Sequence, residues 1–231
     1  MADRFFTPQP LGPGSIELEG DEAKHLAAVR RFGVGDRVFL FNGDGREYPA
    51  LVSNVAKRNV TLQVESALEP RRERPDPLTV AAAIPKGDRC DFLIEKLVEL
   101  GVGSLIPLIT ERSIVIPKPE KAEKWERAVI EASKQCGRNV LMKIEPPLAW
   151  DALMNRPQLP ASRFVLHTGP DLPALTPTRG EVIIAIGPEG GLTPREVDLA
   201  RESGWQPRSL GPRVLRMETA AIAAAVRIES I

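Results

Sequence analysis

The sequence has few of the residues that bind metal ions or form disulfide bonds. It contains two cysteines, Cys90 and Cys136, and two histidines, His25 and His167, all far apart in the chain. Zinc sites and disulfide frameworks need several such residues at characteristic spacings. We therefore expect no metal ion and two free thiols, and a metallohydrolase is disfavoured.

The chain also lacks an excess of charge and a long apolar segment. Its 31 Lys and Arg residues are balanced by 31 Asp and Glu residues, which excludes a broadly polycationic nucleic-acid binder, so that an RNA partner would have to meet a local basic patch. Residues 1–11 have no apolar run typical of a signal peptide. No stretch approaches the roughly 18 apolar residues that span a bilayer. We expect a soluble, cytoplasmic protein that does not contact membranes.

Residues 1–70 are predicted to form a small β-rich domain with one helix. Strands at 37–41 and 47–55 flank the turn NGDG at 42–45, whose residues tolerate the positive φ angles of tight turns. A third strand is predicted at 60–64, and short strands of this kind are typical of small barrels.

Residues 71–77 are rich in proline and in charged residues and are predicted to link this domain to a second one at 78–231. Prolines lack the backbone N–H that regular structure needs, and charged side chains keep the segment in contact with water. In the second domain strands alternate with helices, which indicates an α/β fold with a parallel sheet. The predicted strands are 78–84, 105–109, 164–166 and 182–186, and the predicted helices are 88–100, 121–136, 194–203 and 219–231. Thr193 and Glu196 predict a capping box at the start of the helix at 194–203.

Two glycine-bearing loops are the most informative feature of the second domain. They are IGPEGG at 186–191 and SLGPRVLRMET at 209–219, and each leaves a short strand and enters a helix. Glycine lacks Cβ, so the backbone can approach a ligand closely, and loops at the carboxyl ends of parallel strands bind small molecules. The two loops predict one shared pocket.

The same segments resemble the RsmE family of small-subunit ribosomal RNA uridine-N3 methyltransferases, within the SPOUT superfamily. The similarity extends to other parts of the chain in the same order, so that it covers nearly all of it. The further similar segments are RFF at 4–6, EKLVELGV at 95–102, ERS at 111–113 and EASKQCGR at 131–138.

The resemblance implies more than periodicity can show. It implies an N-terminal PUA-like β-barrel that binds RNA, and a C-terminal parallel sheet threaded into a trefoil knot that holds S-adenosylmethionine. It also implies a homodimer that methylates N3 of a specific uridine in the 16S rRNA of the small ribosomal subunit.

The cofactor residues are expected at the ends of three strands. A methyl donor with an adenine ring needs backbone groups for the adenine edge, apolar walls for its faces and little steric bulk. The residues expected to provide this are Leu166, His167, Gly187, Gly191, Leu210, Gly211, Val214 and Leu215. For His167 we expect only the backbone to lie near the ligand.

Methyl transfer to uridine N3 is an in-line displacement that also requires loss of the N3 proton. An arginine would stabilise the resulting anion, and the candidates are Arg216, Arg138 and Arg112. Glu189 or Glu218 would orient an arginine or accept the proton. Because N3 is used in base pairing, the target uridine must be unpaired or flipped out.

Several basic residues are candidates for contacts with RNA phosphates, which position a substrate without reading its sequence. They are Arg4, Arg30, Arg31, Lys57, Arg58 and Arg112. For each of them a solvated surface is the competing interpretation.

Two other functions compete with the methyltransferase. One is a ribosome-assembly factor that binds RNA through the barrel and uses the α/β domain as a dimerisation scaffold; the glycine loops argue against it, and binding of S-adenosylhomocysteine would exclude it. The other is a nicotinamide-dependent oxidoreductase, which is poorly supported because no Gly-x-Gly-x-x-Gly turn follows an early strand.

Overall fold

The computed structural model describes residues 3–117, 119–169 and 171–228. Contacts divide the chain into two compact units. The first unit comprises Met1–Glu73 and Ser133–Leu141, and the second comprises Arg74–Ala132 and Met142–Ile231.

The first unit is built on a five-stranded sheet in the order β1-β3-β4-β5-β2, with β1 parallel to β3 and the other pairs antiparallel. Its strands are β1 (Arg4–Phe6), β2 (Gly14–Glu19), β3 (Arg37–Phe41), β4 (Tyr48–Val55) and β5 (Asn59–Val64). Helix α1 (Gly20–Lys24) continues as a π-helix over His25–Val29. The predicted hairpin joins β3 to β4, and its glycines, Gly43 and Gly45, have φ angles of 94° and 90°.

Alternate residues of the first sheet face one core. Ala50 and Val52 of β4 pack with Val60 and Leu62 of β5 and with Leu26 of the π-helix, and all are buried. In β5 buried residues alternate with less buried ones, as in a strand with one face towards the core and the other towards solvent.

Residues 133–141 return to the first unit, which the predicted division into 1–70, 71–77 and 78–231 does not include. Arg72 donates a hydrogen bond to the Gly137 carbonyl (2.8 Å), and Gly45 N donates to the Asn139 carbonyl (3.3 Å). These contacts join residues that are distant in sequence, so no local sequence pattern could predict them.

The second unit contains a seven-stranded sheet in which every pair of strands is parallel, as predicted. The strand order is β12-β10-β11-β6-β7-β8, and β9 also pairs with β7. The strands are β6 (Leu78–Ala83), β7 (Ser104–Ile109), β8 (Lys143–Ile144), β9 (Leu148–Ala149), β10 (Ser162–Leu166), β11 (Val182–Ile186) and β12 (Gln206–Arg208).

The remaining helices lie between these strands or follow them. They are α2 (Asp88–Glu99), α3 (Ala122–Cys136), α4 (Trp150–Met154), α5 (Pro194–Glu202) and α6 (Met217–Ile228), with a short 3-10 helix at Pro119–Lys121. The last predicted helix, 219–231, begins two residues earlier than expected, and 229–231 lie outside the described residues. None of the helices in the described ranges is both long and apolar enough to cross a membrane.

The core of the second unit surrounds β11, in which all five residues are buried. This explains why the strand is a continuous apolar run. Ala221, Ala224 and Ala225 of α6 are buried within the protomer, and their small side chains allow α6 to pack against α2. Because all strands are parallel, the loops that follow β6, β7, β10, β11 and β12 meet at one edge of the sheet.

The connection between β10 and β11 lies against the end of β12. Leu175 N donates to the Ser209 carbonyl and Ser209 N donates to the Pro173 carbonyl, both at 2.9 Å. The segment that leads from β12 into α6 is therefore fixed to a loop that precedes β11 in sequence.

Candidate functional site

A cavity of about 270 Å³ lies at the carboxyl edge of the second sheet. Its walls come from the end of β10, the loop between β11 and α5, and the loop between β12 and α6. The structure brings all eight predicted cofactor residues to this cavity: Leu166, His167, Gly187, Gly191, Leu210, Gly211, Val214 and Leu215. The lining also includes Ile186, Leu192, Arg213, Met217 and Ala220, which were not among the predicted cofactor residues.

The end of β10 forms the first wall and is fixed by its backbone. His167 N donates to the Arg208 carbonyl of β12 (3.0 Å). Burial lowers the pKa of the His167 imidazole, and the nearby charge of Arg201 lowers this pKa further. The side chain is therefore held towards its neutral form.

The first glycine loop forms the second wall and is a tight turn. Gly191 N donates to the Pro188 carbonyl (2.8 Å), and Gly191 has a φ angle of 70°. A Cβ atom on Gly187 would lie 2.9 Å from both Cγ and Cδ2 of Leu192. Glycine at 187 thus allows the buried Leu192 side chain to pack beneath the loop.

The helix that follows this loop begins with the predicted capping box. Thr193 Oγ1 accepts a hydrogen bond from Glu196 N (3.3 Å), and Glu196 Oε2 accepts one from Thr193 N (2.8 Å). The other oxygen of the buried Glu196 accepts from Glu111 N (2.8 Å), and Arg112 donates to the Gly190 carbonyl (2.8 Å). The loop after β7 is therefore tied to the first glycine loop and its helix.

The second glycine loop forms the third wall. Gly211, at φ 120°, is held by Ser209 Oγ, which accepts from Gly211 N (3.1 Å) and donates to the Gly211 carbonyl (3.2 Å). Leu210 and Leu215 are partly buried, whereas Val214 is 82% exposed. An exposed apolar side chain at the mouth of a cavity offers a surface that a ligand can cover.

Arg89 joins the two predicted acidic residues, and sequence reasoning missed it. Its Nη1 atom lies 2.9 Å from Glu189 Oε1 and 3.5 Å from Glu218 Oε1. The hydrogen bond to Glu189 is the main cause of the raised pKa of Arg89. The only sequence signal for Arg89 was its place in the first turn of the helix after β6, next to the edge that carries the glycine loops.

Glu218 is buried in the first turn of α6, with 7% of its side chain exposed. Within the described part of the chain its Oε2 atom has no hydrogen-bond partner. A carboxylate is favoured at this position because the amino-terminal end of a helix carries a partial positive charge.

The other predicted catalytic residues occupy different settings. Arg216 is exposed, lies between the lining residues Leu215 and Met217, and has no ion pair within the described ranges. Arg138 belongs to the first unit, where its buried guanidinium forms an ion pair with Glu73 (Nη2 to Oε2, 2.7 Å).

Arg4 is buried, unlike the other residues expected to contact RNA. Its guanidinium pairs with Glu47 (2.8 Å) and donates to the Arg138 carbonyl (3.1 Å) and to Asn139 Oδ1. Burial is the largest cause of its lowered pKa. The expected surface contact of Arg4 is corrected accordingly: this side chain holds the returning segment 133–141 on the first unit.

The exposed basic candidates of the first unit lie on its surface. Arg30 pairs with Asp3, and Arg31 adopts a φ angle of 60°. Lys57 and Arg58 line a groove of about 550 Å³ together with Lys24. Among the described residues no group of three or more His, Cys, Asp or Glu side chains could hold a metal ion.

Comparison with protein families gives two matches. Residues 72–229 match a family described as an RNA methyltransferase domain, and residues 18–65 match one described as an RNA methyltransferase PUA domain. The first match covers more than half of the chain, and the second agrees with the expected PUA-like amino-terminal domain.

Individual relatives cover the chain over most of its length. The ribosomal RNA small subunit methyltransferase E of Synechocystis sp. is 31% identical over 100% of this chain and 78% of the relative. The protein of the same name from Bacillus subtilis is 30% identical over 90% of this chain and 87% of the relative.

Two solved structures are also similar. One is a ribosomal RNA small subunit methyltransferase E from Neisseria gonorrhoeae bound to S-adenosylmethionine (29% identity, 98% of this chain, 96% of that chain, TM-score 0.90). The other is described as a methyltransferase from Legionella pneumophila in complex with the same cofactor (36% identity, 99% of this chain, 97% of that chain, TM-score 0.89). From these matches, and from the glycine loops that carry the resemblance, the chain belongs to the ribosomal RNA small subunit methyltransferase E family.

Proposed function

We propose that this protein transfers a methyl group from S-adenosylmethionine to N3 of a specific uridine in 16S rRNA. The observation that carries the proposal is the cavity between the two glycine loops, which is lined by all eight residues expected to bind the cofactor. The names of the relatives from Synechocystis and Bacillus, and the cofactor in the Neisseria structure, support it.

The lining of the cavity suits the cofactor in its chemistry. Pockets for ligands of this class are concave and mostly apolar, with a few backbone groups that fix orientation. Gly187 and Gly211 expose backbone, and Leu166, Leu210 and Leu215 supply apolar walls. When bound, S-adenosylmethionine supplies a methyl group on a positively charged sulfur.

The chain's own residues must orient the uridine and remove its N3 proton. We assign Arg216 to stabilise the anion on the base, because it is exposed beside the cavity and has no carboxylate partner in the described ranges. Arg138 is the second candidate for this role. Glu218 is the candidate proton acceptor, because its buried Oε2 has no donor among the described residues, and Glu189 orients an arginine.

The finer structural expectations are part of this proposal. The contacts of Pro173 and Leu175 with Ser209 support a trefoil knot, because the chain that leads to α6 passes against an earlier loop. We also propose a homodimer, a cytoplasmic location, and a division into an RNA-binding domain at 1–70, a linker at 71–77 and a methyltransferase domain at 78–231, of which residues 133–141 pack with the first unit. Arg30, Arg31, Lys57 and Arg58 are the proposed RNA contacts of the first domain, and Arg112 that of the second.

The test is methyl transfer to small ribosomal subunits that lack this mark. Labelled S-adenosylmethionine and the purified protein should yield N3-methyluridine, identified by mass spectrometry of the rRNA. Label in another nucleotide would reject the specificity, and no label in any RNA would reject the enzyme. If, in addition, calorimetry detected no S-adenosylhomocysteine binding, the scaffold hypothesis would replace the enzyme.

Arg216→Ala tests the mechanism separately. We expect it to lower kcat on the order of 100-fold with cofactor affinity within about twofold, because the interaction is made only as charge develops on the base. Equal losses in both quantities would instead assign Arg216 to cofactor binding.

A further inference from the structure

A second cleft adjoins the cofactor cavity over the carboxyl ends of β6 and β7. A cavity of about 70 Å³ is lined by Ile84, Pro85 and Lys86 after β6, by Ser113, Ile114 and Val115 after β7, and by Arg89, Pro188 and Glu189. A further cavity of about 290 Å³ shares Ile84, Pro85, Lys86 and Val115 with it. We call these two cavities together the acceptor cleft.

The acceptor cleft adjoins the cofactor cavity. Pro188 and Glu189 line both the 70 Å³ cavity and the cofactor cavity. The strands beneath are also neighbours, because β11 pairs with β6 and β6 pairs with β7. In-line transfer requires the acceptor atom to approach the methyl group from the side opposite the sulfur. The acceptor cleft shares Pro188 and Glu189 with the cofactor cavity, which places an acceptor bound there next to the methyl donor.

The charges in the acceptor cleft favour an anionic ligand with an apolar face. Lys124 is paired with Asp91 (2.6 Å) and Arg89 with Glu189 (2.9 Å). Lys86 and Lys121 are exposed and have no carboxylate partner within the described ranges, whereas Asp88 is the exposed acidic residue of the larger cavity, so that four basic and three acidic side chains leave the cleft with one net positive charge. Beside Lys86, Ile114 is 67% exposed and Pro85 and Val115 line the cleft. A nucleotide combines these properties, because its phosphate is anionic and the faces of its base are apolar.

The wall of the acceptor cleft is held in place before any ligand arrives. Ser113 Oγ accepts from Thr110 N (2.9 Å), and Ser113 N donates to the Thr110 carbonyl (3.1 Å). Arg112 in the same turn donates to Gly190 of the first glycine loop. A wall fixed by such bonds costs little ordering entropy on binding.

We propose that the target uridine nucleotide binds in the acceptor cleft, with Lys86 contacting its phosphate and Pro85 and Val115 against its base. The inference rests on the proposed function, and it assigns to the acceptor a set of residues distinct from those that hold the cofactor.

The test compares Lys86→Met and Lys86→Arg with a matched control, Lys143→Met. Lys143 is also exposed and lies on β8, outside both cavities. The substrate is the small subunit that lacks the methyl mark, and the assay measures KM, kcat, subunit affinity across salt concentrations and S-adenosylhomocysteine affinity. Thermal unfolding confirms that each variant is folded.

For Lys86→Met we expect KM for the subunit to rise on the order of 10-fold. The slope of log affinity against log salt is negative, and we expect its magnitude to decrease by about one, as for one lost phosphate contact. Cofactor affinity should stay within about twofold, Lys86→Arg should restore most of the loss, and Lys143→Met should match the wild type.

An unchanged KM and salt slope in Lys86→Met would overturn the acceptor cleft while leaving the methyltransferase intact. A parallel loss of cofactor affinity would overturn it too, because Lys86 would then belong to the cofactor cavity. Failure of the proposed function is distinct from both outcomes, since the wild-type protein itself would transfer no methyl group.

Discussion

The Arg89 Nη1 atom lies 2.9 Å from Glu189 Oε1, and this ion pair joins the first turn of α2 to the first glycine loop. The same nitrogen lies 3.5 Å from Oε1 of Glu218 in the first turn of α6. One cation therefore connects the segments that carry two of the proposed catalytic residues. Since the guanidinium is partly exposed, its contribution is to geometry more than to stability.

Replacement of Arg89 should impair turnover more than folding. In Arg89→Met the two carboxylates lose their shared partner and repel each other, so that the glycine loop and α6 shift at the cavity. We expect kcat to fall on the order of 10- to 100-fold, because displacements of about 1 Å have effects of this size. Steady-state methyl transfer with small subunits measures the change.

Lys96→Met is the control for Arg89, because Lys96 is on the same helix and pairs with Glu95 and Glu99 away from the cavity. Arg89→Lys should retain part of the activity. If Arg89→Met and Lys96→Met gave the same kcat, Arg89 would have no positioning role.

Gly187→Ala should weaken cofactor binding by moving Leu192. The added Cβ would lie 2.9 Å from two carbon atoms of that buried side chain, closer than real Cβ contacts. We expect affinity for S-adenosylhomocysteine, measured by calorimetry, to fall at least about 10-fold, since the wall of the pocket must shift.

Gly103→Ala is a matched control, because its Cβ would meet only the Leu78 carbonyl at 3.7 Å and Gly103 is remote from the cavity lining. The affinity of Gly103→Ala for S-adenosylhomocysteine should equal that of the wild type. Unchanged affinity in Gly187→Ala would show that the loop adapts, and the steric argument would be wrong.

The capping box should contribute measurably to stability. Glu196→Ala removes the acceptor for the buried Thr193 amide and for the amide of the exposed Glu111, and an unsatisfied buried donor costs about 1–3 kcal/mol. We expect the free energy of unfolding, from urea titration, to fall by about 3 kcal/mol, and by about 1 kcal/mol in Thr193→Ala. Glu202→Ala, an exposed change on the same helix, should fall within about 0.5 kcal/mol of wild type. Equal losses of unfolding free energy in Glu196→Ala and Glu202→Ala would contradict the stabilising role assigned to the capping box.

His167 should titrate below the ordinary histidine value. Its pKa is lowered from 6.5 by burial and by the charge of Arg201. Below pH 6.5 the unfolded chain therefore binds more protons at this site than the folded one, and the free energy of unfolding falls as the pH falls through the folded pKa. The imidazole signal in NMR, assigned with His167→Asn, gives the pKa. A value above 6.5, or identical pH profiles of stability for wild type and His167→Asn, would contradict this account.

Local patterns predicted the regular elements where burial follows a simple period. The bounds of β3 and β11 agree with the prediction. The end of β3 was predictable because a glycine-containing turn follows Phe41, and both ends of β11 were predictable because Val182–Ile186 is apolar throughout. The capping box at Thr193 was also predictable, because it depends on residues three apart. In contrast, β8 and β9 are two residues long, too short to show a period.

Long-range partners could not be predicted from local patterns. The eight cofactor candidates came from loop chemistry and family resemblance together, and the structure brings them to one cavity. Arg89 was missed because its partners, Glu189 and Glu218, lie 100 or more positions away. Arg4 was expected on the surface because arginine is usually exposed; its burial depends on Glu47 and Asn139, which only the folded chain brings near.

The residue of the cofactor cavity that comes last in the sequence is Ala220, in the first turns of α6. Ser209, which precedes the third wall, is hydrogen-bonded to the loop between β10 and β11. During synthesis, which proceeds from the amino terminus, the strands of the sheet leave the ribosome before the last wall exists. A polypeptide interrupted ahead of Leu210 would possess most of the sheet yet have no enclosed place for a ligand. Capacity to bind the methyl donor therefore arises only after the segment from Leu210 to Ala220 has been synthesised and has folded against the sheet.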